Sequence, residues 1–112
     1  MEIQFASERL RDECNDSKTR ARRYGKQGGK RLGQRLDDLD AAANLEDARS
    51  LPGNLHELKG DRKGQLAMTV DGGKRLILEP ADPDHARKPD GGLDWTLVTA
   101  IRILGVEDHY KK

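Results

Sequence analysis

The chain has 112 residues, which gives room for one domain with a small hydrophobic core. Charged residues make up 37% and hydrophobic residues 34%, but the formal net charge is only +1, so net charge does not indicate a nucleic-acid partner. The single cysteine, Cys14, excludes an internal disulfide and a cysteine-built metal site. No apolar run approaches the roughly 20 residues of a membrane span. Residues 1–13 contain acids and no apolar stretch typical of a secretory signal, so we expect a cytoplasmic protein that is a single domain over residues 1–112.

The first half of the chain has the pattern of a strand followed by helices. Residues 1–5 alternate apolar and polar side chains, which predicts a half-buried strand. Ser7 is placed to cap a helix over residues 8–14, and Asp16 marks a break and a new cap. From residue 18 to about residue 44 apolar side chains recur at steps of three and four, which predicts one long helix.

Glycines interrupt this long helical pattern. They are Gly25, Gly28, Gly29 and Gly33. Each costs about 1 kcal/mol relative to alanine inside a helix. Two interpretations stay open: the helix is kinked or broken near Gly28, or the glycines let it lie close against another element. Asn44 then caps a further turn that ends by Pro52-Gly53.

The second half of the chain changes to the period of two that is typical of strands. The predicted strands cover residues 55–59, 65–70, 74–79 and 95–106. Asp71-Gly72-Gly73 predicts a hairpin turn because both glycines accept positive φ. Residues 80–92 are rich in Pro, Asp and Gly and predict a surface loop. The last strand is apolar on both faces, so we expect it to lie centrally in the sheet.

Together these elements predict an α+β fold, with an N-terminal strand and helices packed on one face of a small, mostly antiparallel sheet. The order of elements places the helices early in the chain and most of the strands after them. No internal repeat or low-complexity tail interrupts this order.

Residues 18–36 carry basic side chains and no acid. The basic residues are Lys18, Arg20, Arg22, Arg23, Lys26, Lys30, Arg31 and Arg35, and acids follow from Asp37 onward. Such a block is able to meet phosphates or an acidic partner, but it also suits a solvated helix face, and both interpretations stay open. The Gly29-Lys30 pair does not fit a phosphate-binding loop, because position 24 is tyrosine where that motif needs its first glycine.

The three histidines do not form a metal motif. No pair of them has metal-ligand spacing with a nearby carboxylate on one element. His85 lies in the predicted loop and is interpreted as an inert surface residue, and His56 as a strand residue satisfied by packing. His109 differs because it lies in Asp108-His109-Tyr110 at a strand end, where a group that exchanges protons near neutral pH is useful.

Residues 55–80, LHELKGDRKGQLAMTVDGGKRLILEP, followed by a strand ending VEDHY, resemble the HigB branch of the RelE/ParE toxins. Members of that branch typically show a strand with L-H-x-L-K-G-D, an R-L-x-F-like strand and a terminal D-Y-H. The first element is matched by residues 55, 56 and 58–61, and the second by Arg75 and Leu76. Residues 36–53 also resemble the helix and linker of the family.

The resemblance implies a ribosome-dependent mRNA interferase that needs no metal or other cofactor. Its reaction is the attack of a ribose 2′-OH on the adjacent phosphate, which requires a base, an acid and cations on the phosphorane oxygens. The resemblance also implies that a HigA-like helix-turn-helix antitoxin holds the toxin inactive, in a complex that can be a heterotetramer.

The resemblance further implies two sets of site residues. The catalytic set is Lys59, Arg75, Asp108, His109 and Tyr110, and the RNA-binding set is Arg62, Lys63 and Lys74. In the catalytic set, Lys59 and Arg75 would neutralise the phosphate, and His109 would act as acid or base. Asp108 would position His109 or share the proton transfer, and Tyr110 would stack on a base or donate a proton. The sheet face opposite the helices would meet the RNA.

Two departures from the HigB pattern keep other functions open. The chain has the order Asp108-His109-Tyr110 where the family has Asp-Tyr-His, and exchanging neighbours on a strand turns each side chain to the other face. The loop over residues 80–94 is also longer. One alternative is therefore a non-enzymatic member, such as a ParE-like gyrase-directed toxin or an inactive paralogue. Another is the antitoxin or a DNA-binding regulator, which would require a helix-turn-helix.

Overall fold

The computed structural model describes residues 1–108 of the chain. The strands are β1 (Glu2–Phe5), β2 (His56–Glu57), β3 (Leu66–Asp71), β4 (Lys74–Pro80) and β5 (Ala100–Asp108). The α-helices are α1 (Glu8–Asn15), α2 (Ser17–Tyr24), α3 (Lys26–Ala41) and α4 (Leu45–Ala48). Short 3₁₀ helices lie at Gly60–Arg62, Pro83–Ala86 and Trp95–Leu97. No helix in this part of the chain is both long and apolar enough to span a membrane.

The strands form one five-stranded sheet in the order β1-β5-β4-β3-β2. β1 pairs with β5 in parallel, and every other pairing is antiparallel. The predicted mostly antiparallel α+β sheet is thus confirmed, with the N-terminal strand at one edge. β5 lies between β1 and β4, which confirms the interior position that its apolar faces predicted.

The hydrophobic core lies between the helices and one face of the sheet. The sheet contributes Leu66, Met68, Val70, Leu76, Leu78, Ile101 and Ile103, and α3 contributes Leu32, Leu36 and Leu39. Within each strand these core residues are two apart, because successive side chains of a strand point to opposite faces. Leu66, Met68 and Val70 all belong to the core, as the period of two over the predicted strand 65–70 requires. The helices cover this face, and the opposite face carries a different set of side chains.

The predicted helix caps are present in the structure. Three side chains accept a hydrogen bond from the backbone N–H three residues further on: Ser7, Asp16 and Asn44. Each satisfies a donor that has no partner inside its own helix. Local chemistry alone therefore determined where α1, α2 and α4 begin.

The prediction of one long helix over residues 18–44 is wrong. The chain breaks at Gly25, where φ is 84°, and it continues as a separate helix, α3. Both interpretations of the glycines hold in part: the helix is broken, and α3 also packs closely against α2. A Cβ on Gly29 would lie 2.7 Å from the backbone nitrogen of Ala21. Glycine at position 29 thus allows the two helix backbones to approach one another.

The second half also differs from prediction in its details. β2 has only two residues, because the chain turns into a 3₁₀ helix at Gly60–Arg62. The predicted hairpin joins β3 to β4, but neither of its glycines has positive φ, and the Asp71 carboxylate instead accepts a hydrogen bond from the Gly73 N–H at 2.9 Å. The last strand begins at residue 100, not at residue 95. Asp94 caps a 3₁₀ helix there by accepting the N–H of Thr96.

Candidate functional site

The sheet face turned away from the helices, here called the open face, carries the candidate site. Directly opposite residues in neighbouring strands share a face. The register therefore aligns Thr69, Arg75 and Glu107 in one row across β3, β4 and β5. The next row contains His56, Ala67, Ile77 and Gly105. Because Leu76 and Leu78 belong to the core, their neighbours Arg75 and Ile77 face away from it.

Glu107 joins two arginines on the open face. Both terminal nitrogens of Arg62 donate to its carboxylate, with a distance of 2.9 Å from Nη1 to Oε1. Arg75 Nη2 lies 3.4 Å from the same Oε1. Arg62 also donates through Nε to Gln65 Oε1 at 3.1 Å. Arg62, Arg75 and Glu107, here called the arginine–glutamate cluster, thus connect the 3₁₀ helix after β2 with the last strand.

The arginine–glutamate cluster is charged at neutral pH. The pKa of Glu107 is lowered below its usual range, chiefly by the hydrogen bonds from Arg62, with smaller contributions from the charges of Arg62 and Arg75 and with burial opposing them. The pKa of Arg62 is raised in return by the hydrogen bond to Glu107. Two guanidinium groups and one carboxylate leave a net charge of one positive unit. The cluster therefore keeps an attraction for an anion.

Arg75 is the more enclosed of the two arginines. Its side chain is 18% exposed, against 36% for Arg62. Its Nε atom is buried and has no hydrogen-bond partner among the described residues. A buried donor without a partner costs free energy, and the Nη2 contact with Glu107 is long for a hydrogen bond. The hydrogen-bonding capacity of the Arg75 guanidinium is thus only partly used by the protein.

The structure separates the other site residues implied by the sequence. Lys59 and Lys63 are exposed on either side of the 3₁₀ helix Gly60–Arg62. Lys74 points to the helical side, where its Nζ lies 3.5 Å from Asp108 Oδ1 and its side chain approaches Gly28 of α3. Lys74 and Asp108 are therefore not on the open face beside Arg75.

His109 and Tyr110 lie outside the described residues. Of the two predicted sets, the structure brings together on the open face Arg62 from the RNA-binding set and Arg75 from the catalytic set. The roles assigned to the whole set stay predictions.

Two residues of the open face were missed or misjudged in the sequence. Glu107 was not singled out, because a strict period of two counted from the core residues Ile101 and Ile103 sets it on the core face. The register shift between Ile103 and Gly105 turns it to the open face, and no signal in the sequence marks that shift. His56 was interpreted as packed, but the structure shows it exposed, with Nδ1 at 2.8 Å from the backbone oxygen of Asn54. Its pairing with Ala67 puts it on the open face. His85 is exposed in the loop as expected, 3.3 Å from Asp82.

The basic stretch divides into structural and exposed residues. Arg35 is buried and donates from Nε to the backbone oxygen of Thr69 at 2.9 Å, which ties α3 to β3. Arg20 donates to the backbone oxygens of Cys14 and Gly29 and fixes the contact of α2 with its neighbours. The remaining six cations are exposed at the surface of α2 and α3. Arg20 and Arg35 of the basic stretch thus stabilise the packing of the helices.

The fold places the chain in a recognised structural class. No protein-family model and no curated protein matches the sequence. Solved structures do match it over almost its full length, and they are toxins of the YoeB and ParE kind. The predicted α+β fold is therefore confirmed, and it is the fold of the matched YoeB and YoeB/ParE toxin structures.

Two of these structures indicate how close the likeness is. The YoeB–YefM complex from Staphylococcus aureus contains a chain 17% identical in sequence, with a TM-score of 0.58 and 98% of each chain covered. The YoeB/ParE toxin from Agrobacterium tumefaciens is 12% identical, with a TM-score of 0.59, and the match covers 98% of this chain and 100% of that one. At such identities the likeness defines the fold.

Proposed function

We propose that the chain is the toxin of a type II toxin–antitoxin system and that it cleaves mRNA on the ribosome without a metal. The observation that carries the proposal is Arg75 on the open face, whose Nη2 has only a long contact with Glu107, at 3.4 Å, and Arg62 bound to the same carboxylate. The fold is that of toxins, and the helices leave this face uncovered. His56 and Thr69 are exposed on this face and would meet a polynucleotide, whereas Ala67 and Ile77 of the same face are buried.

The arginine–glutamate cluster is suited to a reaction in which a 2′-OH attacks a phosphate. In the attack of a 2′-OH on the adjacent phosphate, negative charge accumulates on the phosphorane oxygens, and guanidinium groups stabilise it. Arg75 is the main candidate because it is held in place by the sheet. Arg62 would exchange its contact with Glu107 for one with the substrate phosphate. Lys59, Lys63 and Lys74 would contribute longer-range attraction for the RNA backbone.

Proton transfer requires a base for the 2′-OH and an acid for the leaving 5′ oxygen. We assign one of these roles to His109 and a stacking or proton-donating role to Tyr110. Asp108 faces Lys74 on the helical side, so its proposed assistance to His109 requires its side chain to turn toward the open face. His56 is a second imidazole suited to the other role, because it is exposed on the open face and carries a nitrogen, Nε2, that is not engaged by Asn54.

The proposed partner is a HigA-like helix-turn-helix antitoxin, and the proposed compartment is the cytoplasm, where ribosomes are found. Among the matched structures, one YoeB from Staphylococcus aureus forms a heterotetrameric complex with YefM. As the resemblance to HigB toxins implies, this partner would hold the chain inactive during growth. A heterotetramer is the assembly we propose for this chain as well.

One other function has a specific observation in its favour. Glu107 already pairs with both arginines of the open face, and a matched structure bears the name ParE as well as YoeB. A non-enzymatic toxin directed at gyrase, or an inactive paralogue, would tolerate that pairing. The antitoxin alternative is less suitable, because it requires a helix-turn-helix, and residues 55–108 form strands and short 3₁₀ helices with no α-helix.

The proposal is tested by inducing the chain in a bacterium and mapping new 5′ ends in translated and untranslated mRNA. We expect growth arrest with cuts confined to translated mRNA. Arg75→Ala should lower the cleavage rate by about 100-fold or more, as loss of a transition-state donor typically does. His109→Ala should also weaken cleavage. Arg31→Ala removes an exposed arginine from α3 on the helical side and should cleave like the wild type.

Two results would contradict the proposal. One is undiminished toxicity and unchanged cuts in both Arg75→Ala and His109→Ala. The other is growth arrest with intact mRNA and gyrase-dependent DNA breaks, which would favour the ParE-like function.

A further inference from the structure

A groove between α2 and α3, here called the α2–α3 groove, has no role in the proposed cleavage reaction. It has a volume of about 450 Å³ and lies beside the end of α1, on the helical side of the sheet. Every residue that lines it falls within residues 14–37, so it shares none with the open face. The volume is within the about 300–1,000 Å³ that is typical of small-ligand sites.

Arg20 is the cation in the wall of the groove. Its Nε donates to the backbone oxygen of Gly29 at 3.0 Å, and its Nη1 donates to the backbone oxygen of Cys14 at 2.6 Å. These two carbonyls hold the guanidinium over Gly33, where a Cβ would lie 2.7 Å from Nη2. Because a carbonyl oxygen carries no full charge, these hydrogen bonds fix the guanidinium without neutralising it.

Two lysines add exposed cations to the same groove. Lys26 and Lys30 both line it and lie one turn apart on α3. Side chains at positions i and i+4 have Cβ atoms about 5–6 Å apart, so both ammonium groups can reach one anion or two neighbouring ones. Within residues 1–108 neither lysine forms an ion pair, and Arg20 forms none either, whereas the nearby Arg23 lies 3.7 Å from Glu13.

The α2–α3 groove therefore concentrates positive charge. Asp37 is the acid in its lining, and it lies about two turns further along α3 than Lys30. Three cations and one carboxylate leave two net positive charges, in a chain whose formal net charge is only +1. The exposed side chains of the lining are all polar or charged. Such a surface suits a hydrated phosphate better than an apolar side chain of a protein partner.

We propose that the α2–α3 groove binds phosphate groups of RNA and that on the ribosome it contacts the backbone of ribosomal RNA. Since α2 and α3 lie on the side of the sheet opposite to the open face, the RNA in the groove is a different segment from the mRNA at Arg75. Lysine and arginine contacts to phosphate carry no base preference, so the groove adds affinity and orientation. The inference deepens the proposed function and rests on it for the source of the RNA.

The first test is co-sedimentation of the full chain with mRNA-free ribosomes at several potassium chloride concentrations and constant magnesium. The groove variant is Lys26→Gln with Lys30→Gln. Loss of two phosphate contacts should lower the slope of log K against log salt by about 1.4–1.8 and weaken binding about 25- to 60-fold at 0.1 M salt. The control variant, Lys18→Gln with Arg31→Gln, removes two exposed cations of the same basic stretch from outside the groove lining. It should lower the slope by less than half as much.

The second test locates the contact by amide shifts of the ¹⁵N-labelled full chain. The probe is a 2′-O-methylated RNA dodecamer, which lacks the attacking hydroxyl. We expect shifts at Ser17, Gly29 and Gly33 that are lost in the groove variant and kept in the control variant. Asp37→Asn should tighten binding at the groove, because it removes a carboxylate that repels the phosphate. The spectra also report whether each variant is folded.

The outcomes separate this inference from the proposed function. Equal salt slopes in the groove and control variants, or groove amides that do not shift with RNA, would overturn the phosphate site even if mRNA cleavage is intact. Shifts of these amides with a glutamate-rich peptide of the same charge, and none with RNA, would overturn it too, in favour of an acidic segment of a protein partner. RNA binding in the groove by a chain that cleaves no mRNA would support the site and contradict the proposed function.

Discussion

The carboxylate of Glu107 determines how the two open-face arginines are held. Its pKa is lowered by Arg62, so the folded state favours the ionised form more than the unfolded state does. Such a contribution to stability is present above the unfolded pKa and is lost as the pH falls through the lowered pKa of the folded state. The charge of this residue is therefore coupled both to folding and to the geometry of Arg75.

We predict that Glu107→Gln lowers the free energy of unfolding at pH 7 by about 1 kcal/mol or less, which is the size of a partly exposed ion pair. The deficit relative to the wild type should shrink as the pH falls below the ordinary range of glutamate. Urea unfolding at pH 7 and at several acidic pH values measures it. Asp84→Asn makes a similar charge change at an exposed position that has no ion pair within residues 1–108, and it should show no such pH dependence. A deficit that is equal at all pH values would contradict the coupling.

The hairpin of α2 and α3 depends on a close approach of two helix backbones. On propensity alone, Gly29→Ala would favour the helix by about 1 kcal/mol. The added Cβ would, however, lie 2.7 Å from backbone atoms of Arg20 and Ala21, which have no freedom to rotate away. We therefore predict that steric overlap dominates and that the variant is less stable by about 1–3 kcal/mol.

Thermal or urea unfolding of Gly29→Ala tests this. The matched control is Gln34→Ala, an exposed position in the same helix, which should be neutral or slightly stabilising. A stabilised Gly29→Ala would mean that the helices of the hairpin do not touch at this point.

At the scale of the whole molecule, residues 1–108 share one main core, and Cys14 reports on its integrity. Cys14 is 1% exposed and belongs to the core that joins the helices to the sheet. Burial, with a smaller effect from the charge of Glu13, raises the pKa of its thiol from 9.0 to about 11, while Arg20 opposes the shift. Since the thiolate is the reactive form, at pH 8 this shift alone slows thiol labelling by about 100-fold.

We predict that a thiol reagent labels native Cys14 at least about 100-fold more slowly than a cysteine placed at exposed Ser50, in a Cys14→Ala, Ser50→Cys variant. The Cys14 rate should rise with urea in parallel with the loss of helical circular dichroism, because one cooperative core unfolds as a unit. Rapid labelling in the absence of urea would show that α1 opens independently of the sheet.

Much of the fold was predictable because it depends on neighbours in sequence. Caps at Ser7, Asp16 and Asn44 require only a side chain and a backbone N–H three residues away. Strand periodicity likewise identified the core face of β3 and the hairpin that joins it to β4. The site was less predictable. Arg75 was identified through a resemblance, whereas the contribution of Glu107 depends on pairing between strands.

The sequence by itself determined the α+β class, the starts of α1, α2 and α4 and the apolar face of the sheet, since short-range hydrogen bonds and periodic burial suffice for these. The tertiary structure decided the rest. It broke the long helix at Gly25 so that α2 and α3 could pack, and it turned Lys74 toward α3 and away from Arg75. It also joined Arg62 to Glu107, 45 residues along the chain. Such contacts depend on strand order and register, which no local pattern encodes.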